Sequence, residues 1–300
     1  MKLDTAYRLL SHPFYLDVGK GNDAALLVGC GRSGTSWLGD LLCFPRSIRS
    51  VFEPLGSHVG GRPMSLVDTY SAPDAEDAEA YRFLSDVFAG NFRHWWTDLD
   101  NKSHFCVYRR RVIKEIRLMM GLDWIRQNFP ALKIILVLRH PVMVAKSQMR
   151  GGWPDLLDSF LSQEILVANY LSDHVSFIEE LTDPFSRKVA KVCIEMSCVL
   201  SALSPVGGKV VFYEDLIRDP EDCLNSINTF LGWDFDEKVL SIIGRRSSKT
   251  NMAVPAEDRL LKNQKERDQV YEIIKRFGLS RVYNKTPFPD EGFDLSNWGD

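Results

Sequence analysis

The residues from Gly29 to Ser36 have the types and the spacing that bind phosphate. They follow a buried apolar run at 24–28, and a helix is predicted to begin at Thr35. A tight glycine loop between a strand and a helix aims successive backbone N–H groups at one point, where the helix dipole adds positive potential. The spacing Gly29-x4-Gly34 is that of a Walker A loop, but Thr35 stands where the Walker lysine would be. We therefore expect a bound phosphate that is not a transferring γ-phosphoryl group.

A second anion site is predicted where the apolar run 134–138 ends at Arg139. Pro141 suits the first position of a helix, so Arg139 is expected at a strand's carboxyl end, beside a helix N-terminus. Ser147 lies about two helical turns further on and can face the same side. Arg139 and Ser147 could clamp a phosphate that is separate from the first. The two sites together favour a nucleotide that carries phosphates at both ends.

Alternating apolar and helix-like segments must position these residues. Strands are predicted at 25–28, 111–114, 133–138 and 209–212. Helices are predicted near 35–43, 121–128, 141–149, 156–180, 185–203, 220–231 and 257–277, and the segment 56–105 is expected to be irregular. This order predicts an α/β fold with a central parallel sheet and helices on both faces. Ligands in such folds bind at the carboxyl ends of the strands, where the two anion sites are predicted.

Composition excludes several classes of function. The 300 residues are 45% hydrophobic and 26% charged, and the net charge of -3 speaks against bulk binding to nucleic acid or anionic membranes. An anionic ligand would need local positive charge, which the segment 109–117 could supply. No apolar run approaches the roughly 20 residues of a membrane span, and the N-terminus does not resemble a signal peptide. The six cysteines have no metal-ligand spacing, so we expect reduced thiols and a cytoplasmic protein.

Four motifs resemble those of the PAPS-dependent sulfotransferases (PAPS is 3′-phosphoadenosine 5′-phosphosulfate). Residues 31–37, Gly-Arg-Ser-Gly-Thr-Ser-Trp, resemble the loop that binds the 5′-phosphosulfate, in its arginine-bearing form. Residues 138–147 resemble the 3′-phosphate motif, and residues 212–232 resemble a third signature. Residues 112–117 resemble the lysine-bearing strand, most closely that of carbohydrate sulfotransferases. The motifs occur in the family's order, and they imply a P-loop-like α/β fold.

The resemblance implies PAPS as the donor, 3′,5′-ADP as the product and no required metal. Backbone N–H groups of the loop would hold the 5′-phosphate, Arg32 would neutralise charge near the sulfuryl group, and Trp37 would stack on adenine. The implied donor-binding residues are Arg32, Ser33, Gly34, Thr35, Ser36, Trp37, Arg139, Ser147 and Tyr213. Arg246, Ser247 and Lys249 lie where the family has a loop that closes over the nucleotide, although they could equally form a solvated basic loop.

The catalytic residues implied by the resemblance are Glu53, Arg32 and Lys114. The family's aryl and steroid enzymes carry a catalytic histidine two residues after the strand lysine, but here that position is Ile116. Another base must therefore serve, and Glu53 resembles the general base of protein-tyrosine and some carbohydrate sulfotransferases. Strand alternation sends the competing Glu115 to the face opposite Lys114.

Other residues and functions remain as alternatives. The loop histidines are further candidate bases: His58, His94 and His104. His140 is expected to be structural, and Trp95-Trp96 could fill the core or form an acceptor surface. Cys30 could be a reactive thiol, but a small filler residue is the preferred interpretation.

The sequence thus predicts a sulfotransferase with one domain spanning 1–300. Its nucleotide-binding core is expected at 24–55, 108–150 and 205–250, with acceptor-facing segments at 56–105, 150–185 and 250–270. The expected acceptor is a hydroxyl on a sugar or another small metabolite, and the oligomeric state is left open. A P-loop kinase-like enzyme that uses ATP and Mg²⁺, or a nucleotide-binding module without catalysis, are the alternatives.

Overall fold

A five-stranded parallel sheet lies at the centre of the structure. The computed structural model describes residues 15–20, 23–44, 47–101, 106–204, 207–234, 237–243, 264–283, 286 and 288–298. The strands of the sheet are β2 (Ala24–Val28), β3 (Ile48–Phe52), β5 (Arg110–Glu115), β6 (Lys133–Leu138) and β7 (Lys209–Phe212), in the order β3-β5-β2-β6-β7. Two short strands, β1 (Tyr15–Asp17) and β4 (Cys106–Tyr108), form a separate parallel pair. The sequence did not predict this pair.

Helices connect the strands. The longer ones are α1 (Thr35–Leu42), α2 (Ala78–Ala89), α3 (Leu122–Asn128), α4 (Pro141–Arg150), α5 (Pro184–Leu203), α6 (Tyr213–Arg218), α7 (Pro220–Leu231) and α8 (Gln264–Arg276). Short α-helical turns lie at Leu157–Leu161, Glu164–Leu166, Val175–Glu179 and Leu240–Ile243, with a π-helical turn at Val167–Leu171. Short 3₁₀ turns lie at Met64–Leu66, Met119–Gly121, Ser172–His174, Glu237–Val239, Leu279–Arg281 and Leu295–Asn297. Among the described helices, none combines the length and the apolar composition that crossing a membrane requires.

Both faces of the sheet are covered by helices. The central strand β2 is buried along its whole length, because its side chains alternate between two apolar clusters. Leu26 and Val28 pack into the cluster that holds α2, α3, α4, α5 and α8, whereas Ala25 and Leu27 pack into the cluster that holds α1, α6 and α7. The predicted α/β fold with a central parallel sheet is confirmed.

The segment 56–105 is not wholly irregular, because it contains α2. Asp77 caps the start of this helix by accepting a hydrogen bond from the backbone N–H of Ala80 at 2.8 Å. Gly90 ends it with a φ of +82°. Both residues are ordinary helix-boundary signals, so the prediction was wrong at a place where the sequence carried the information.

The predicted long helix at 156–180 is also wrong. The chain breaks there into short turns, beginning after Leu161. The break places Gln163 so that its side-chain oxygen accepts a hydrogen bond from the backbone N–H of Tyr70 at 2.8 Å. This contact joins two segments that are distant in the sequence, so local periodicity could not predict it.

Candidate active site

Eight of the predicted site residues line one cavity at the carboxyl edge of the sheet. The cavity has a volume of about 490 Å³ and is lined by the loop after β2, the ends of β3 and β5, and both ends of α4. The sequence-predicted residues that line it are Arg32, Gly34, Thr35, Ser36, Glu53, Lys114, Arg139 and Ser147. Five separate segments of the chain therefore converge as a parallel sheet requires.

The loop after β2 has the backbone of an anion site. Arg32 and Gly34 both adopt a positive φ, of +79° and +106°. A side chain at Gly34 would collide with the ring of Tyr213, because an added Cβ would lie 2.4 Å from a ring carbon. Gly34 is the N-cap of α1 and offers no side-chain cap, so the N–H groups of the first helical turn have no side-chain acceptor there. A bound anion would accept hydrogen bonds from these N–H groups.

Unpartnered polar atoms on and beside this loop suit an oxygen-rich ligand. Within the described residues, Ser33 Oγ, Trp37 Nε1 and Tyr213 OH are buried and have no hydrogen-bond partner. All three can donate a hydrogen bond, and leaving a buried donor unpaired costs about 1–3 kcal/mol. A ligand that brings phosphate oxygens to this loop lies beside these donors, so the residues present fit a phosphorylated nucleotide, although Trp37 and Tyr213 reach it only if neighbouring side chains move.

Arg32 links the two predicted anion sites. Its backbone oxygen accepts a hydrogen bond from Arg139 Nη1 at 3.1 Å, and its own Nε donates to Ser147 Oγ at 3.1 Å. In this structure the Arg32 side chain therefore extends towards the second site. The guanidinium of Arg139 also lies over the ring of Tyr213, 4.3 Å from its centroid. Arg32, Arg139 and Ser147 thus form one connected group, in which the two arginines supply positive charge.

Arg150 is a site residue that sequence reasoning missed. It lines the cavity from the end of α4, three residues after Ser147. Positions three apart share a helix face, so this spacing could have predicted it. Burial lowers the pKa of Arg139, and the nearby charge of Arg150 acts in the same direction.

Glu53 lines the same cavity and contacts two cations. Lys114 Nζ donates a hydrogen bond to Glu53 Oε1, and Arg117 Nη1 donates to Glu53 Oε2 at 3.0 Å. Burial alone would raise the pKa of Glu53, but Lys114 and Arg117 outweigh it and hold that pKa below its ordinary value. Glu53 also adopts a positive φ of +42°. Such strain in a non-glycine residue clusters at functional sites.

Glu115 does not reach the cavity surface, as strand alternation predicted. Its Oε1 accepts hydrogen bonds from the backbone N–H groups of Ile116 at 2.9 Å and Arg117 at 3.0 Å. Its Oε2 accepts one from the backbone N–H of Leu55 at 2.7 Å. The side chain is fully buried, and burial raises its pKa. Glu115 joins the segments that follow β3 and β5, which is a structural role.

Three described residues of the implied donor site do not line the cavity: Ser33, Trp37 and Tyr213. Trp37 is 1% exposed, and its ring packs edge-on against Tyr213 with the centroids 6.1 Å apart. Tyr213 is equally buried and contacts the loop and Arg139 from inside the core. Adenine stacking on Trp37 stays a prediction that requires neighbouring side chains to move. Arg246, Ser247 and Lys249 lie outside the described residues.

The basic segment 109–117 supplies part of the positive charge at the site, as the sequence predicted. Arg111 binds Asp17 at the amino end of the sheet, and Arg110 lies 3.7 Å from Asp234. Only Lys114 and Arg117 of its cations line the cavity. The first part of the segment does not contribute, because β5 carries its amino-terminal residues to the opposite edge of the sheet.

His140 has the structural role that was expected. Its Nδ1 accepts a hydrogen bond from the backbone N–H of Val142 at 3.3 Å, which caps α4. Burial lowers the pKa of His140 to about 3, so the ring is neutral at physiological pH and can accept this bond.

The two described histidines among the candidate bases, His58 and His94, do not line the cavity. His58 is exposed and its ring stacks on Trp96, 4.1 Å between centroids. His94 accepts a hydrogen bond from the backbone N–H of Trp96 at 3.2 Å. His104 lies outside the described residues. Cys30 is buried, and burial raises the pKa of its thiol, as suits a filler residue.

Two aromatic side chains line the cavity: Phe52 and Trp153. Trp153, 37% exposed, lines the cavity and packs so closely on Gly31 that an added Cβ would lie 2.3 Å from its ring. Phe52 lines it from the end of β3 and packs edge-on against the half-buried Trp96, 5.5 Å between centroids. Trp153 was not predicted, since no pattern in the sequence marks it. Trp96 neither fills the core nor lines the cavity, but it adjoins a residue that does.

Within the described residues, no group of three or more histidine, cysteine, aspartate or glutamate side chains is arranged to hold a metal ion. The fold is that of a P-loop-like α/β protein, and arginines line the cavity beside its glycine loop.

Comparison with known protein families shows to which family the chain belongs. Residues 25–237 match the sequence model of the sulfotransferase family. Because this match covers more than half of the chain, the chain belongs to that family. It is therefore an enzyme that transfers a sulfuryl group. No curated protein sequence matches the chain significantly.

Solved structures of low sequence identity resemble the fold. A sulfotransferase from Alicyclobacillus acidocaldarius is 16% identical with a TM-score of 0.44, and the match covers 96% of this chain and 99% of that one. Sulfotransferase STF9 from Mycobacterium avium is 13% identical with a TM-score of 0.48, covering 94% and 80%. Mouse sulfotransferase SULT7A1 complexed with PAP is 17% identical with a TM-score of 0.39, covering 89% and 86%. The family assignment rests on the sequence match alone.

Proposed function

We propose that this enzyme transfers the sulfuryl group of PAPS to a hydroxyl acceptor, with Glu53 as the general base. The observation that carries the proposal is the position of Glu53 and Lys114 in the same cavity as the phosphate loop and Arg139. A base, a cation and two anion sites within one cavity are the parts that in-line transfer of a charged group requires.

The donor-facing residues have separate roles. The N–H groups at the start of α1, with the hydroxyls of Thr35 and Ser36, hold the 5′-phosphate and stabilise the charge that develops on it. Arg139 and Ser147 hold the 3′-phosphate. Arg32, which bonds both of them, keeps the two subsites at a fixed separation. Thr35 in place of the Walker lysine disfavours the kinase-like alternative.

Glu53 receives the proton of the acceptor hydroxyl as the hydroxyl oxygen attacks the sulfuryl sulfur. Its lowered pKa means that the carboxylate, which is the proton-accepting form, is present at neutral pH. Lys114 neutralises negative charge between Glu53 and the donor. These assignments need no metal ion.

The acceptor is a hydroxyl on a ring-shaped small molecule, with a sugar as the first choice. Phe52, Ile116 and Trp153 are apolar residues in the lining of the cavity, and Phe52 directly precedes Glu53 in the chain. Aromatic faces bind the C–H surfaces of sugar rings and leave the hydroxyls free to react. Trp96, beside Phe52, extends this surface away from the cavity.

A cytoplasmic location and a single domain are also part of the proposal. Five cysteines are unbridged, and burial raises the pKa of each of their thiols: Cys30, Cys43, Cys193, Cys198 and Cys223. Protonated, unbridged thiols are compatible with a reducing compartment.

Radiolabelled PAPS and a panel of monosaccharides, oligosaccharides and phenols test this function. We expect a labelled ester with one acceptor class, and Glu53→Gln should lower kcat about 100-fold or more because a positioned base contributes that much. Glu79→Gln, an equivalent change at an exposed position of α2, is the matched control and should keep the parent rate.

Two other results would redirect the proposal. A protein that binds 3′,5′-ADP but labels none of these acceptors would favour the non-catalytic alternative. If Glu53→Gln kept full activity, the base assignment would be wrong although the donor could still be right.

A further inference from the structure

Arg117 connects two carboxylates at the edge of the cavity. Its Nη1 lies 3.0 Å from Glu53 Oε2 and 3.3 Å from Glu115 Oε1. Its side chain is 24% exposed, whereas the side chains of Glu53 and Glu115 are 10% and 0% exposed. A single guanidinium therefore bridges a carboxylate that faces the cavity and one that does not.

Glu115 fixes the position of Arg117. Its two oxygens accept three backbone hydrogen bonds, one of them from Arg117 itself. A fully buried carboxylate with these bonds has no freedom to follow a ligand. The planar fork of an arginine loses little further entropy on binding such an anchor. The contact with Glu115 therefore holds Arg117 in the position from which it contacts Glu53.

Lys114 contacts the other oxygen of Glu53, but no second carboxylate among the described residues holds it in place. Its ammonium lies over the ring of Phe52, 4.5 Å from the centroid, and Glu53 is its carboxylate partner in the described part of the chain. Lys114 also lines the donor cavity. A lysine is a point charge on a flexible stem, so anions in that cavity compete with Glu53 for it. Arg117 already has two carboxylates and is less available to the donor.

We propose that Arg117 is a positioning residue that holds the Glu53 carboxylate in place for proton transfer, independently of Lys114. This inference rests on the proposed function, since it assigns a role towards the base. The two cations then have different roles, because Lys114 serves the donor and Arg117 serves the base. Loss of Arg117 would leave Lys114 as the single cationic partner of Glu53 among the described residues.

The charges around Glu53 define the expected direction. Lys114 and Arg117 face its oxygens, Glu115 lies behind Arg117, and Asp68 is near Arg117 with a pKa that burial raises to about 6. The cations lower the pKa of Glu53 and burial raises it. Removing Arg117 removes one lowering cause, so Glu53 should bind its proton at a higher pH and less carboxylate should remain at any fixed acidic pH.

Direct titration of Glu53 tests the proposal without an acceptor. The protein is isotope-labelled at the glutamate side-chain carboxyl carbon, and the Glu53 signal is identified by its absence from Glu53→Gln. In Arg117→Gln we expect Glu53 to titrate at a pH about 1 higher than in the parent, which is a tenfold smaller ratio of carboxylate to acid. Arg117→Lys should restore part of the difference.

Arg150→Gln is the matched control, because Arg150 lines the same cavity but is not among the cations that bond Glu53. Glu53 should titrate in this variant as in the parent. The proposal is overturned if Glu53 titrates at the same pH in Arg117→Gln as in the parent. It is also overturned if Arg150→Gln shifts the titration of Glu53 as much as Arg117→Gln does. Binding of 3′,5′-ADP is measured in parallel. A parent that does not bind it contradicts the proposed function, whereas the titration reports on Arg117 alone.

Discussion

Arginines occupy both ends of the central sheet, but their surroundings differ. At the amino end, Arg49 and Arg111 are fully buried and paired with carboxylates, since Arg49 contacts Asp17 and Asp98 and Arg111 contacts Asp17. At the carboxyl end, three arginines have no carboxylate within salt-bridge distance among the described residues: Arg32, Arg139 and Arg150. The same residue type is thus neutralised at one end and left with surplus charge at the other.

This difference separates a structural use of charge from a functional one. A buried ion pair that is complete in the folded protein needs no ligand. Arg139 is 7% exposed without a carboxylate partner in the described part of the chain, which is unfavourable unless an anion arrives. Lys114 and Arg117 are intermediate, since both line the cavity and both contact Glu53.

The largest expected effect is on stability, at the amino end. Arg49→Met leaves Asp17 and Asp98 buried with fewer partners, so the free energy of unfolding should fall by about 3–5 kcal/mol. Urea unfolding measures it, with Arg139→Met as the control that should lose far less. If the two variants were equally destabilised, the structural distinction between the two ends would be wrong.

The next effect is on ligand binding, at the carboxyl end. Arg139→Gln should weaken 3′,5′-ADP binding roughly 10- to 100-fold, because a hydrogen bond to a charged group contributes about 1.5–3 kcal/mol. Isothermal titration measures the affinity. Binding of 5′-AMP, which has no 3′-phosphate, should change little, and an equal loss for both nucleotides would contradict the assignment of Arg139.

A smaller effect is expected for Arg150→Gln in the same titration. Arg150 is exposed, and exposed ion pairs contribute about 0.2–1 kcal/mol. Affinity for 3′,5′-ADP should therefore fall only about two- to fivefold, and the loss should shrink further in high salt. If Arg150→Gln lost as much affinity as Arg139→Gln, the exposure of these arginines would not determine how much each contributes to binding.

Local signals explain what the sequence could predict. Continuous apolar runs marked β2 and β6, and the glycine loop and Pro141 marked the helix starts beside them. Strand alternation placed Lys114 in the cavity and Glu115 away from it. Arg117 escaped this reasoning because β5 ends at Glu115, whose carboxylate bonds turn the chain, so alternation no longer applies.

Contacts between distant segments explain what it could not predict. Three contacts join parts of the chain that only the strand order brings together. They are the hydrogen bond between Arg32 and Ser147, the hydrogen bond from the segment after β3 to Glu115, and the packing of Trp153 on Gly31. The resemblance to sulfotransferases implied an accessible Trp37, but the packing of α1 against Tyr213 buries it.

The most direct test of the central claim compares the melting temperature of the protein with 3′,5′-ADP, with 5′-AMP, and with ATP and Mg²⁺. A ligand that binds only the native state raises the melting temperature by mass action. We expect a large increase with 3′,5′-ADP and a small one with 5′-AMP, because two separate anion sites then act together. An increase with ATP and Mg²⁺ but none with 3′,5′-ADP would contradict the claim that this cavity binds PAPS.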